Sequence, residues 1–288
     1  MKAMKYIVLS LALLCAAPLF AQKDKNAIIN VGVGELIYTP PSEGNKAVDV
    51  LAGVAESLLA GQTTKQQPQY AEAVRASVVN GLSKVLLFRP SDGVQPAAPD
   101  GKALIADGTI ANISVVSKTE TTKDSKGVKH ANTTYRSNVS VTVNLKDPAD
   151  GSVVNSHTFT IADSDLYWMS SGEKAVTNAL ERLTARVAEY YNKMFPLHAS
   201  IIEKGESKKD KQKEVYIDLG QQDGVYKGMQ FDVFVAKTIA GKEAKTQIGR
   251  LKIEEVEGDE ISLCKVTKGG DKIKAALDEG QTLLITTR

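Results

Sequence analysis

Residues that usually carry chemistry are scarce in this chain. Its 288 residues include two cysteines, three histidines and one tryptophan. His130, His157 and His198 lie far apart and match no His-Glu-x-x-His spacing, and no Cys-x-x-Cys pair occurs. Zinc sites are built on such spacings or on ligands gathered by the fold, so no metal is predicted. A Gly-x-Ser-x-Gly elbow is absent, which leaves a serine hydrolase without local support. Gly32-x-Gly34 follows a strand-like run, but the third glycine of a dinucleotide fingerprint would fall at Ile37. Without it the backbone cannot approach a pyrophosphate, so no cofactor is predicted. Gly172-Glu173-Lys174 lacks the upstream glycine of a phosphate loop. Asp163 and Asp165, on either side of Ser164, offer paired carboxylates for a hydrolase or simply a strand-to-helix loop. The reading is of a chain with no catalytic residue.

Charge of one sign is also missing. Lysine and arginine number 36 against 34 acids, and Lys2 and Lys5 belong to an N-terminal leader, so the body is balanced. A neutral body has no overall field to draw it to nucleic acid or an anionic membrane.

Long apolar runs are confined to the start. Lys2 and Lys5 precede an apolar stretch from Tyr6 to Leu14, and Ala16 to Ala21 follow. A basic segment, a short apolar core and a small residue before a polar start read as a secretory signal over 1–21, cut after Ala21. The stretch is too short for a transmembrane helix. Cys15 supports a rival reading, a lipoprotein cleaved before it, although Leu14 stands where a small residue is expected. Acylation there would tether the chain to a membrane, and membrane contact is expected only in that case. The predicted location is periplasmic or secreted, the alternative outer-membrane-associated. Cys264 is the one cysteine left after the leader, so no internal disulfide forms. Within the strand-like run 261–266 it reads as a small core hydrophobe.

The body divides by texture. Residues 28–36 read as a strand. Two helical stripes follow: Val48, Leu51, Val54, Ala55, Leu58 and Leu59, then Ala71, Val74, Val78, Leu82 and Val85. Residues 103–117 form a long strand pattern. Tyr135, Val139, Val141, Val143 and Leu145 alternate with polar residues, which predicts one buried and one wet face. Thr119 to Asn132 between them is polar and reads as a flexible connection. Asp147-Pro148-Ala149-Asp150-Gly151 is a turn into a further strand with Val153, Phe159 and Ile161. Ser170-x-x-Glu173 reads as a capping box for a helix with a stripe from Val176 to Met194, ended by Pro196. From Leu197 onward short strands alternate with glycine turns such as Asp223-Gly224 and Lys227-Gly228, which suggests a small barrel. The expected fold is α+β: a mixed sheet packed by helices over 22–196, then a small all-β barrel over 197–288.

Two features invite a partner. Tyr167, Trp168 and Met169 cluster just before the capping box, either as anchors for a partner or as a plug fixing the start of the helix. The loop 206–214 carries Lys208, Lys209, Lys211 and Lys213, which are either solvated surface or a contact for an acidic envelope polymer.

A Val-Gly-Val strand leads to Val74-Arg75-Ala76-Ser77-Val78-Val79-Asn80-Gly81-Leu82 and then Phe88-Arg89-Pro90. Ala106-Asp107-Gly108-Thr109-Ile110 follows, then Val139 to Leu145 with Asp147 and Asp150-Gly151-Ser152-Val153-Val154. In that order these residues resemble the envelope domain shared by curli secretion-channel (CsgG-like) proteins and outer-membrane activators of penicillin-binding proteins. Leu219-Gly220-x-x-Asp223-Gly224-Val225-x-x-Gly228-Met229-x-Phe231-x-Val233 is similar to the C-terminal barrel of the flagellar assembly protein FlgT family. The resemblance implies a CsgG/TolB-N-like sheet, no enzyme activity, envelope proteins as partners and a homo-oligomeric ring. It implies a non-enzymatic periplasmic assembly or accessory protein. The alternative is a lipid-anchored outer-membrane secretion-channel subunit or penicillin-binding protein activator. A pore would need membrane-spanning hairpins, and Thr119 to Asn132 lacks their alternation of lipid-facing apolar residues.

Overall fold

The computed structural model describes residues 26–39, 62–93, 102–162, 166–239 and 242–288. The leader, Cys15, the stripe from Val48 to Leu59, and Asp163 to Asp165 lie outside the described residues. At the coarse level the fold is mixed α+β, as the sequence predicts, and it forms two compact units, 28–191 and 192–288, with residues 26–27 belonging to the second.

The first unit is built on one sheet. β1 (Ile29–Tyr38) lies between β3 (Phe88–Asp92) and β4 (Lys102–Lys123) and is parallel to both. β5 (Lys129–Lys146) and β6 (Val153–Ile161) extend it antiparallel. β2 (Gln62–Gln66) pairs with the outer half of β4. Helices α1 (Ala71–Leu82) and α2 (Gly172–Met194) follow the predicted stripes: Val74, Val78 and Leu82 are buried on one, Val176, Ala179, Leu183, Val187 and Tyr191 on the other. Met194, placed on that stripe by its spacing, is instead half exposed. The helices touch where α1 has no side chain. A Cβ on Gly81 would sit 2.6 Å from the Val187 Cβ, and the Thr184 hydroxyl donates to the Ser77 carbonyl across the contact (3.0 Å).

Two expectations about the long hairpin are corrected. The strands do not keep one wet face throughout: Asn112, Ser114, Ser137, Asn138 and Ser140 are all buried near the middle. Nor is Thr119 to Asn132 an unstructured connection. β4 and β5 stay paired out to Lys123 and Lys129, where Asp124 accepts from the amides of Lys126 and Val128 (2.8 and 2.9 Å). Residues 119–132 are exposed on both faces, a two-stranded ribbon in water. Alternating Thr, Lys and Glu satisfies ladder pairing without needing a core, which is why burial periodicity did not signal strands there.

The second unit is a seven-stranded sheet in the order β7-β15-β12-β13-β14-β11-β8. Its members are β7 (His198–Ala199), β8 (Ile201–Lys204), β11 (Glu214–Ile217), β12 (Gln230–Ile239), β13 (Lys242–Val256), β14 (Ser262–Lys268) and β15 (Leu283–Thr287). β7 and β8 are the two ends of the sheet and also two halves of one segment broken at Ser200, so the sheet nearly closes into a barrel. Asp218 ties the break: its carboxylate accepts from the Ser200 amide (2.5 Å) and its amide donates back to the Ser200 carbonyl (3.2 Å). Phe231, Val233, Leu251, Ile253, Cys264 and Ile285 fill the interior. The unit is not all-β. A helix α3 (Gly270–Asp278) packs on the sheet through Ile273, against Gly249, where a Cβ would come within 2.5 Å of the isoleucine. Nine residues give too short a stripe to stand out from the surrounding strand texture. Between β8 and β11 a small ribbon forms from β9 (Ser207–Lys208) and β10 (Lys211–Gln212).

Candidate functional site

The Tyr167–Trp168–Met169 cluster is set by the place where β6 stops. β6 ends at Ile161, paired with Val139, while β5 continues back to Tyr135. There Met169 takes the position of the missing neighbour. Its amide donates to the Tyr135 carbonyl (2.8 Å) and the Tyr135 amide donates to the Met169 carbonyl (2.9 Å). Side chains alternate across an extended backbone, so Met169 shares the Tyr135 face and Trp168 the Arg136 face. The Arg136 guanidinium lies 4.4 Å from the Trp168 ring centre, a cation–π contact. Tyr167 is 82% exposed. The three residues are therefore not one aromatic patch: two are mounts, one on each face of the sheet edge, and one is presented to solvent.

Helix α2 starts one residue later than the predicted capping box requires. Ser171, not Ser170, is the cap, accepting from the Lys174 amide (3.3 Å). Glu173 is thereby released to line an open groove of about 360 Å³ beside the cluster. Lys65, Tyr70, Val115, Tyr135 and Gly172 share its walls. A Cβ on Gly172 would make only ordinary contacts, 3.6 Å from Val115 and 4.0 Å from Tyr135. Two tyrosine faces, a lysine and a glutamate on a half-apolar floor suit contact with a polypeptide better than bond-making chemistry. Sequence reasoning did not find Tyr70, Lys65 or Arg136. Lys65 and Tyr70 reach Tyr135 and Glu173 only through the pairing of β2 with β4, and Arg136 meets Trp168 only because Met169 pairs with Tyr135.

The other sequence candidates stay apart. His130 sits on the exposed ribbon, paired with Asp124 (3.2 Å). His157, on β6, stacks on Tyr190 with ring centres 3.8 Å apart, and burial holds its imidazole below the ordinary histidine range. His198 lies in the second unit, where Asn26 bonds both its amide and its carbonyl (2.8 and 2.7 Å). No cluster of ligating side chains that could hold a metal occurs among the described residues. Gly32 and Gly34 lie inside β1 rather than in a strand-to-helix turn. The Val33 and Gly34 carbonyls both accept from Arg75 (3.1 and 3.2 Å), which also pairs with Asp92 (3.0 Å). Cys264 is fully buried and its thiol is pushed up to about 12, as a core residue should be. No helix among the described residues is long and apolar enough to cross a membrane.

No protein-family model matches the chain, and no curated protein matches it in sequence. The matches to solved structures are distant. A hemagglutinin homolog from Helicobacter pylori is 14% identical with a TM-score of 0.32, over 60% of this chain and 87% of its own. A PelC dodecamer from Paraburkholderia phytofirmans is 15% identical with a TM-score of 0.29, over 56% and 86%. A DUF330 protein from Xanthomonas campestris is 12% identical with a TM-score of 0.30, over 59% and 84%. Likeness at this level assigns the chain to no family and carries no argument about its activity.

Proposed function

We propose that the chain is a non-enzymatic, exported assembly or accessory protein of a bacterial cell envelope, acting through protein–protein contacts. The finer fold belongs to the same proposal: a CsgG/TolB-N-like first unit and a FlgT-like barrel. The observation that carries it is the mounting of Tyr167. An exposed tyrosine directly precedes two anchored residues, Trp168 against the Arg136 guanidinium and Met169 bonded both ways to Tyr135, next to a tyrosine-lined groove. Tyrosines presented rigidly lose little conformational freedom on binding and recur as interface anchors.

A photo-crosslinking amino acid placed at Tyr167 in the full-length chain tests this in its own cells, with the same probe at exposed Tyr226 as control. The expected result is a discrete protein adduct from the first position and none from the second. No adduct at Tyr167, or equal adducts at both, would overturn the docking assignment. Intact mass of the protein recovered from envelopes separates the two forms of the proposal. A chain starting at Gln22 is a periplasmic factor. One starting at an acylated Cys15 is the lipid-anchored channel subunit or activator.

A further inference from the structure

We infer that the β9–β10 ribbon is a binding site for a phosphate-type dianion, gripped between Lys208 and Lys211. The inference is independent of the function proposed above. The ribbon's register sets Lys208 directly opposite Lys211, with Ser207 opposite Gln212 on the other face. Directly opposed side chains in an antiparallel pair run side by side, and like charges there are destabilising. Lys213, two residues beyond Lys211, returns to the same face. All three are exposed, and none forms an ion pair or side-chain hydrogen bond among the described residues.

The turn adds a fourth ammonium in an unfavourable place. Lys209 has φ 57°, the one non-glycine described residue with a left-handed backbone. Two-residue turns of this kind are ordinarily made with Asn or Gly, so lysine is held there against its conformational preference.

What holds the ribbon is underneath it. Gln212 is 1% exposed; its amide donates to the carbonyls of Glu214 (2.7 Å), Gly205 (3.1 Å) and Glu206 (3.3 Å), and its oxygen accepts from the Ser207 hydroxyl (2.8 Å). The Lys213 carbonyl accepts from the Val266 amide (2.7 Å). α3 closes in from the side, since a Cβ on Gly270 would come within 2.5 Å of the Gln212 carbonyl. Two ammonium groups set opposite each other, with Asp210 in the turn between them but in no ion pair with either among the described residues, are arranged for an anion with two charges, which removes the repulsion and accepts hydrogen bonds from both.

The surroundings narrow the ligand class. Residues 205–214 include no aromatic side chain, so nucleic-acid bases find no stacking platform. The neighbouring Lys204 and Lys274 already share Asp278 (2.7 Å each) and do not compete for the ligand. A phosphate dianion comes from two sources, a soluble phosphate or a phosphomonoester lipid headgroup, such as that of phosphatidic acid, at a membrane surface. Four lysines against Glu206, Asp210 and Glu214 leave residues 205–214 with one net positive charge, and the strand register concentrates the ammonium groups on one face.

The test uses the full chain and two probes: inorganic phosphate, read by melting temperature and phosphorus-31 line width, and vesicles, read by co-sedimentation. Vesicles of phosphatidylcholine alone are compared with the same lipid doped with phosphatidic acid. The expected result is binding to at least one phosphate probe, weakened roughly 25-fold in Lys208→Gln/Lys211→Gln, about fivefold for each lysine. A response to inorganic phosphate assigns the soluble source; a response to doped vesicles alone assigns the headgroup. Lys208→Glu separates a binding role from a structural one. It turns the repelling pair into an attracting one, so it should raise the melting temperature while abolishing binding. Failure of both probes on the wild type, undiminished binding by the double variant, or a lower melting temperature for Lys208→Glu would overturn the inference.

Discussion

The two units bury their sheets by opposite means. In residues 28–191 the inner face is covered by helices α1 and α2, which approach so closely at Gly81 that no side chain fits between them. In residues 192–288 the sheet covers most of itself, its two ends meeting through Ser200 and fastened by Asp218, with α3 as a small addition. The first solution needs long stripes and a glycine at the crossing. The second needs short strands, frequent turns and one polar seam. Similar alternation of Val, Ile and Phe serves both, so the strand texture does not decide which is used. The segments between strands do.

Removing one buried ring from each unit tests whether both cores carry comparable weight. Phe88→Ala and Phe231→Ala should each cost about 3–5 kcal/mol, since both rings are almost fully buried. Denaturant unfolding, with hydrogen exchange to localise the damage, measures this; a loss below about 1 kcal/mol for either would mean that its unit is loosely packed. A change at a close backbone approach should come next. A Cβ on Gly108 would lie on top of the Thr142 carbonyl oxygen, 1.9 Å away, so β4 and β5 must separate locally. Gly108→Ala should cost about 3 kcal/mol, while Gly172→Ala, with nothing closer than 3.6 Å, should leave stability unchanged.

The cation–π mount is smaller. Arg136→Ala should cost about 0.5–1 kcal/mol from the lost contact with Trp168, seen also as a change in tryptophan fluorescence. Unaltered fluorescence would remove Arg136 from the site.

The smallest effects depend on pH, and the two units should respond with opposite sign. His157 in the first unit has its pKa lowered by burial, so folding favours its neutral form. That contribution is complete above the unfolded value near 6.5 and is lost as pH falls through it, and His157→Phe should flatten the slope between about pH 7 and 5. Asp218 in the second unit has its pKa raised, chiefly by burial. Folding therefore favours its protonated form, and stability falls as pH rises from the unfolded value near 3.9. Asp218→Asn keeps an acceptor for the Ser200 amide and should abolish that fall; an unchanged slope in melting temperature would show that the seam is not electrostatically strained.

Several parts of this molecule were legible from residue spacing. The buried stripe Val176 to Tyr191 named α2, and the alternation of Val139, Val141, Val143 and Leu145 named the inner half of β5. Gly151, Gly224 and Gly228 have positive φ where turns were expected. The exposed ribbon at 119–132 was not legible, because strands wet on both faces leave no periodic apolar signal. α3 was missed because two buried residues, Ile273 and Ala276, make too short a stripe. Of the candidate site, the presence of Tyr167, Trp168 and Met169 was visible, but not their division between two faces and solvent.

The sequence by itself determined which segments are amphipathic, where the backbone must turn, and that metal-ligand and nucleophile spacings are missing. Those properties depend on residues within a few positions of one another, and local sterics and hydrophobic periodicity express them directly. Only the tertiary structure decided that Arg136 meets Trp168, that Gly81 lets two helices touch, and that Lys208 faces Lys211 over a buried glutamine. Each of these depends on the register between strands or on the crossing of helices. That is fixed by the packing of the whole unit, and no short stretch of sequence contains it.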